Sequence, residues 1–479
     1  MTFKNTILNN LRWMIFAKFG SQLITWGSTL LVMRVLKPED YGIIAMATIL
    51  VGLLSMVNEM GLGQAIVQAD KISDYRIQQV YGLIVLVNSS IYILLYLLSP
   101  LVSSFFNDER LAVIIQTIGI QFLIQIFIVV PSAILDRSLH FKERSIYEVL
   151  ATTTGAILTL LMAMSGFGVW SIVFGNLIIA AVYAISINLK FPFAHKPIFR
   201  FSGIDDLARF GTLTVFNRIL WYFYSQIDSV VVGRLLGATT LGAYSVGVQI
   251  ASLPLIKVAG IFNQLGFAVF SKMKGTSNGI GDGVIVVAQV ASFISVPIFW
   301  GIAAVANEFV VLILGAGWES AILPLQCIAL ILPLRVLSIS LAQAINAIGR
   351  PGLNSINLIV ACVSMLVSFL LGIHFWGIAG VCVSWLVVYP IWFIFVLRQG
   401  LPKLGIGLKQ YLHKIAPPYV LGAIMVLIVW AVRWNVSIDR FSGLFLLVMI
   451  GAFVYAVLSW GFIRNYVLNV FSALRLDRP

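Results

Sequence analysis

Three cationic side chains stand deep inside long apolar stretches of this chain: Arg218, Lys257 and Arg335. Arg218 lies about 11 residues into its stretch, or roughly 16 Å at ~1.5 Å per residue, near the middle of a ~30 Å hydrocarbon core. A cation at that depth costs roughly 2.5–3.5 kcal/mol on insertion scales, so three cost on the order of 8–10 kcal/mol if additive. Such a cost calls for a polar interior or a ligand that needs the charge. Guanidinium and ammonium groups bind anions through charge-assisted hydrogen bonds. The three cations therefore predict a water-accessible cavity that accepts an anion. Asn217, Trp221, Tyr222 and Tyr224 surround Arg218 in sequence, Lys257 follows Pro254, and Arg335 follows Pro333. A proline frees a backbone carbonyl and bends a helix, which is tolerated where helices line a cavity.

Two acids, Asp228 and Glu59, lie close to or within the same stretches. Either could bind a coupling proton or sodium ion, and either could balance a nearby cation. Both readings stay open. A pair between Asp228 and Arg218 is disfavoured, because ten residues on one helix span about 15 Å. Arg34 and Arg234 each end an apolar stretch, where a cation complements the helix dipole. Glu39 and Asp40 fit the first turn of the helix that follows. The four histidines show no metal-ligand spacing, and the three cysteines fall within apolar helices as packing residues. No metal site and no cofactor is expected.

The elements that must hold these residues follow from composition. The 479 residues are 60% hydrophobic and 10% charged, with a mean hydropathy of +1.01. A soluble domain carries about 25% charged residues. No polar segment is long enough for a separate soluble domain, so the expected fold class is an all-α polytopic membrane protein. Spans are predicted near 13–35, 41–63, 80–103, 111–135, 147–166, 169–189, 207–236 and 241–271. Six more follow near 284–305, 319–346, 353–373, 376–397, 412–432 and 442–463, about fourteen in all. The first apolar run is too long for a cleaved signal and reads as the first span.

The net charge of +13 does not point to nucleic acid, because the cations sit in alternate loops. About 22 Lys and Arg lie on the side of the N-terminus and about 6 on the other, which places both termini in the cytoplasm. RVLKPEDYGIIAMA from Arg34 and RLLGATTLGAYSVG from Arg234 align at an offset of 200, matching Gly42 with Gly242. This is a parallel repeat. The expected organisation is a six-helix lobe over 1–200, a second over 201–400, and two further helices with a cytoplasmic tail over 401–479. Two such halves suit rocking around a central site.

Several segments carry a family likeness: LKPEDYGIIAMA at Leu36, GLGQAIVQ at Gly61 and DSVVVGRLLGATTLGAYSVGVQIASLP at Asp228. ILGAGWESA at Ile313, NAIGRP at Asn346 and WGIAGVCVSWLVVYP at Trp376 extend it over most of the chain. In these the chain resembles the polysaccharide transporter family of Wzx-type flippases, within the multidrug/oligosaccharidyl-lipid/polysaccharide exporter superfamily. Among its branches it is most similar to the exporters of colanic-acid-like exopolysaccharide. The resemblance implies two six-helix lobes plus two helices. It also implies export of an undecaprenyl-diphosphate-linked oligosaccharide across a bacterial inner membrane, for exopolysaccharide or O-antigen synthesis. Arg218, Lys257 and Arg335 would then meet the diphosphate, with Asn217 and Tyr224 beside them. The expected partners are the lipid-linked oligosaccharide, membrane lipids and other polysaccharide assembly proteins. Lipid II export and multidrug export are the nearest alternatives, although an exporter of cations should favour intramembrane acids. A membrane glycan polymerase or ligase would need a sizeable exposed loop bearing acids or histidines, and the outer loops here are short. A nonenzymatic scaffold would leave the buried cations without a role.

Overall fold

The computed structural model describes residues 20–58, 63, 66–67, 73–138, 140–191, 196–200, 212–273, 279–435, 440–462, 464 and 466; for 212–218, 256–273, 279, 440–441 and 462 it describes the backbone alone. These residues are helical almost throughout. In lipid no water satisfies backbone N–H and C=O groups, and an apolar run meets that demand by bonding within itself as a helix. Among the described residues, 11 helices are long and apolar enough to cross a membrane, or 12 if one bent pair is a single span. The chain is a multi-pass membrane protein. Its helices turn bare apolar side chains outward, among them Leu101, Met164, Phe375, Phe445 and Phe453, as lipid-facing surfaces do.

The chain divides into two compact units. Unit 1 comprises residues up to Tyr222 together with Gly237–Gly242. It contains α1 (20–35), α2 (Pro38–Asn58), α3 (Asp74–Phe106), α4 (Arg110–Gln125), α5 (Val129–Arg137), α6 (Phe141–Met164) and α7 (Val169–Lys190). Local chemistry sets the ends. Pro38 opens α2, where its missing N–H costs nothing. Ser73 caps α3 through its hydroxyl, 3.3 Å from the Arg76 N–H, and Asn107 ends it in the left-handed region at φ 57°.

The single span expected near 111–135 is two helices, α4 and α5, bent by 41°. Pro131 is the reason. It cannot donate to the Phe127 carbonyl, and its ring crowds that carbonyl. The freed Phe127 oxygen instead accepts from the Asn188 amide of α7 at 2.7 Å. On the loop side of α4, Arg110 donates to Asp108 at 2.8 Å and to Glu39 of α2 at 2.6 Å. The Arg110 guanidinium holds the Asp108 carboxyl below the usual carboxylate range. Asp40 accepts from the Lys37 N–H at 3.1 Å, as a first-turn acid should.

Unit 2 comprises Phe223–Leu236 and Ala243 onward. It holds most of α8 (Thr212–Met273), then α9 (Gly279–Ala304), α10 (Ile322–Ala347), α11 (Pro351–Trp376), α12 (Ile378–Gly400), α13 (Leu408–Asn435) and α14 (Arg440–Phe462). α9 packs against α10 and α13, α12 against α10 and α11, and α13 against α14. The α11–α12 seam closes on two glycines. A Cβ on Gly372 would lie 2.6 Å from the Gly380 carbonyl oxygen, and one on Gly380 2.6 Å from the Gly372 Cα. Small residues let membrane helices approach this closely. Arg433 of α13 donates to Glu308 in the segment between α9 and α10 at 2.7 Å.

α8 is two helices meeting at Gly237, whose φ of 81° and ψ of 178° are not helical. That region is open essentially to glycine alone. The six residues from the break, Gly237–Gly242, pack in unit 1. Gly42 and Gly242, the pair matched by the repeat, face each other there. A Cβ on Gly242 would lie 2.8 Å from the Gly42 nitrogen, and one on Gly42 2.9 Å from the Ala238 Cα.

Candidate functional site

The candidate residues divide sharply. Glu59 lies outside the described residues. Asn217, Arg218 and Lys257 lie on the α8 backbone, but their side chains are outside the described set. The aromatics after Arg218 go separate ways. Trp221 is exposed. Tyr222 donates to the Ile49 carbonyl of α2 at 2.7 Å, inside unit 1. Tyr224 is buried in unit 2.

Unit 2 gathers Tyr224, Asp228 and Arg335 into one polar cluster. Asp228 is 6% exposed, which for a carboxylate demands compensation. It accepts from the Ser229 N–H at 2.7 Å and from the Tyr244 hydroxyl at 2.6 Å. Tyr244 in turn accepts from the Trp385 indole N–H at 2.9 Å. Asp228 and Tyr244 are 16 residues apart, about 24 Å on a straight helix. They meet because α8 breaks between them at Gly237.

Arg335 of α10 completes the cluster. Its guanidinium carbon sits 5.6 Å from the centroid of the Trp385 ring, a cation–π arrangement. It lies within electrostatic reach of Asp228 and of the Tyr224, Tyr244 and Tyr389 hydroxyls. Among the described residues, however, no carboxylate forms a salt bridge with it and none accepts a hydrogen bond from it. The half-buried cation has a neighbouring countercharge, yet its five donors are unspent among the described residues.

The surrounding wall is aromatic and polar. Tyr224 and Trp392 have ring centroids 6.2 Å apart, and Tyr389 and Trp392 5.2 Å apart. Trp392 donates to the Asn357 carbonyl at 2.9 Å, while Tyr389 and Ser338 hydroxyls are 3.2 Å apart. The Tyr224 hydroxyl and both side-chain polar atoms of Asn357 are buried without a protein partner among the described residues. Asn357, Tyr389, Trp385 and Tyr244 were not singled out from sequence. Spacing could not find them, because they come from three helices, and Tyr244 of α8 is more than a hundred residues from Asn357 of α11 and from Trp385 and Tyr389 of α12. Among the described residues no group of three or more His, Cys, Asp or Glu side chains could hold a metal ion. The cluster offers charge, aromatic faces and hydrogen bonding, without a nucleophile activated by a base.

The model of a polysaccharide biosynthesis protein family matches residues 31–323. A relative in Bacillus subtilis, the teichuronic acid biosynthesis protein TuaB, is 24% identical over 81% of this chain and 80% of its own length. The lipopolysaccharide biosynthesis protein WzxC of Escherichia coli is 23% identical over the same shares. Among solved structures, the lipid II flippase MurJ in an inward closed conformation superposes with a TM-score of 0.74 at 16% identity, covering 95% of this chain and 99% of that one. An inward-facing multidrug resistance MATE transporter reaches 0.60 at 15% identity, covering 80% of this chain and 94% of that one.

Proposed function

Since the chain belongs to the polysaccharide biosynthesis protein family and shares its fold with a lipid II flippase, we propose that it is a flippase of the multidrug/oligosaccharidyl-lipid/polysaccharide exporter superfamily and moves an undecaprenyl-diphosphate-linked oligosaccharide repeat unit across a bacterial inner membrane. The polyprenyl tail stays in lipid. The diphosphate and sugars pass through a hydrated cationic cavity by alternating access. Fourteen spans, with both termini in the cytoplasm, form two six-helix lobes over 1–200 and 201–400 and a helix pair over 401–479. Arg218, Lys257 and Arg335 take turns at the diphosphate, with Asn217 and Tyr224 beside them. Several weak contacts serve better than one tight one, because the cargo must leave. The protein does no covalent chemistry, and other polysaccharide assembly proteins supply and consume the cargo.

The observation that carries this reading is Arg335. A guanidinium held in the membrane-spanning part, near countercharge but with its donors unspent among the described residues, is suited to a passing anion. An exporter of organic cations would gain nothing from it. The test is export of the glycan and abundance of the protein, measured together. Arg218→Ala and Arg335→Ala should lower export and leave abundance nearly unchanged. Arg218→Lys should recover only part, since lysine lacks the planar fork. Normal export in Arg218→Ala, Lys257→Ala and Arg335→Ala would remove the anionic-cavity reading.

Lipid II is a second cargo with the same charged group, and the superposition on a lipid II flippase favours it. Rescue of cells depleted of their lipid II flippase would decide for it. Failure to rescue, with loss of surface glycan on deletion, would decide for the oligosaccharide.

A further inference from the structure

We propose that Tyr244 and Trp385 are positioning residues that keep Asp228 from capturing Arg335, so that the guanidinium stays available to an anion. The proposal rests on the anionic-cargo reading for its use, but the device itself is visible in unit 2. Asp228 and Arg335 are linked through Tyr244 and the Trp385 indole, and a carboxylate and a guanidinium in a membrane interior have the chemistry to join as a bidentate pair. Here they do not, and each Asp228 oxygen already accepts a hydrogen bond that fixes the carboxylate's orientation and uses part of its acceptor capacity. The Asp228 Oδ2 atom is taken by the Tyr244 hydroxyl at 2.6 Å, and Oδ1 by the Ser229 N–H at 2.7 Å, with the Ser229 hydroxyl at 3.3 Å. The Tyr244 oxygen is itself fixed by the Trp385 N–H at 2.9 Å, and that bond aims its proton at Asp228. The same indole supports Arg335 on its face, at 5.6 Å from the centroid. One side chain therefore locates both the cation and the group that occupies the anion.

The arrangement depends on the break in α8. Asp228 precedes Gly237 and Tyr244 follows it. Both residues are buried in unit 2. The hydrogen bond thus clips two helical arms together as well as blocking the ion pair. Sequence distance hides the relation, since the two residues would never meet on one straight helix.

The test uses the full-length chain in lipid nanodiscs and two readouts. The first is ligand-free: the side-chain 15N resonances of Arg335, assigned by their loss in Arg335→Gln. Tyr244→Phe releases Asp228 Oδ2 from the bond that orients it, so the signals should move to the position of a carboxylate-bound guanidinium. Adding Asp228→Asn to Tyr244→Phe should return them. Trp385→Phe keeps a ring under Arg335 but removes the donor to Tyr244, and should give a smaller displacement of the same sense. The second readout is binding of inorganic pyrophosphate. Tyr244→Phe should weaken it about tenfold, equivalent to ~1.4 kcal/mol, and the Asp228→Asn double variant should restore it. A merely structural tyrosine would not be rescued by removing a carboxylate. Unmoved Arg335 signals in Tyr244→Phe and in Trp385→Phe would overturn the proposal. So would failure of Asp228→Asn to reverse the change. If the signals behave as expected while pyrophosphate binds no form of the protein, the positioning role holds and the anionic-cargo reading is what fails.

Discussion

Gly42 and Gly242 are the sharpest place to perturb the fold. A methyl group on Gly242 would sit 2.8 Å from the Gly42 nitrogen and closer still to the Pro38 carbonyl. One on Gly42 would sit 2.9 Å from the Ala238 Cα and closer to its carbonyl. Every obstructing atom is backbone, so no side chain can swing aside. Relief requires the two segments to separate by on the order of 1 Å, and overpacking of this kind costs about 1–3 kcal/mol. Gly42→Ala and Gly242→Ala should each lower stability by that amount. The double variant should cost less than the sum, because the first methyl has already opened the gap used by the second. Gly301 in α9 is the control, with open space where its Cβ would be. Gly301→Ala should be neutral or stabilising by up to ~1 kcal/mol. The assay is thermal unfolding of detergent-purified protein, followed by exposure of the buried thiols Cys327 and Cys382. Wild-type melting of both single variants, or full additivity in the double, would refute the close-packing argument.

Gly237→Ala forces a side chain into a glycine-only backbone region and should destabilise by about 1–3 kcal/mol. Melting in the same thiol assay checks it, and an unchanged midpoint would mean that the break persists without glycine. Arg433 is less exposed than Arg110 (32% against 56%). Arg433→Gln should therefore cost about 1–2 kcal/mol and Arg110→Gln under ~1 kcal/mol, since exposed ion pairs contribute little. Denaturation of the two variants side by side measures the difference. For topology, a cysteine placed at Lys403 or Lys409 should resist membrane-impermeant labelling from outside intact cells, and ready labelling would invert the layout.

Element boundaries were legible because lipid imposes one rule on every apolar run. Prolines and glycines then punctuated the runs at Pro38, Pro351, Gly168 and Gly377, and the two glycines share nearly the same turn, at φ 53° and 55°. The bend at Pro131 was missed because a proline inside an apolar run reads equally as a kink or a break. What decided it was a carbonyl acceptor for Asn188, 61 residues away. At the site, the depth of Arg335 could be read from hydropathy, and so could the scarcity of acids around it. Its neighbours could not. Trp385, Tyr389 and Tyr244 look like ordinary aromatics of apolar helices, and only the helix packing and the break at Gly237 turn them toward Asp228 and Arg335.

The placement of Asp228 and Arg335 around one indole also bears on electrical work. A single elementary charge carried across the membrane potential does about 2.3 kcal/mol of work per 100 mV. Asp228 and Arg335 belong to the same unit and sum to zero when both are ionised. Whatever fraction of the field they traverse, they traverse it as a dipole, and the work cancels to first order. A voltage dependence of transport would then report the charge of the cargo and of any ion moving with it, with this pair contributing no gating charge of its own.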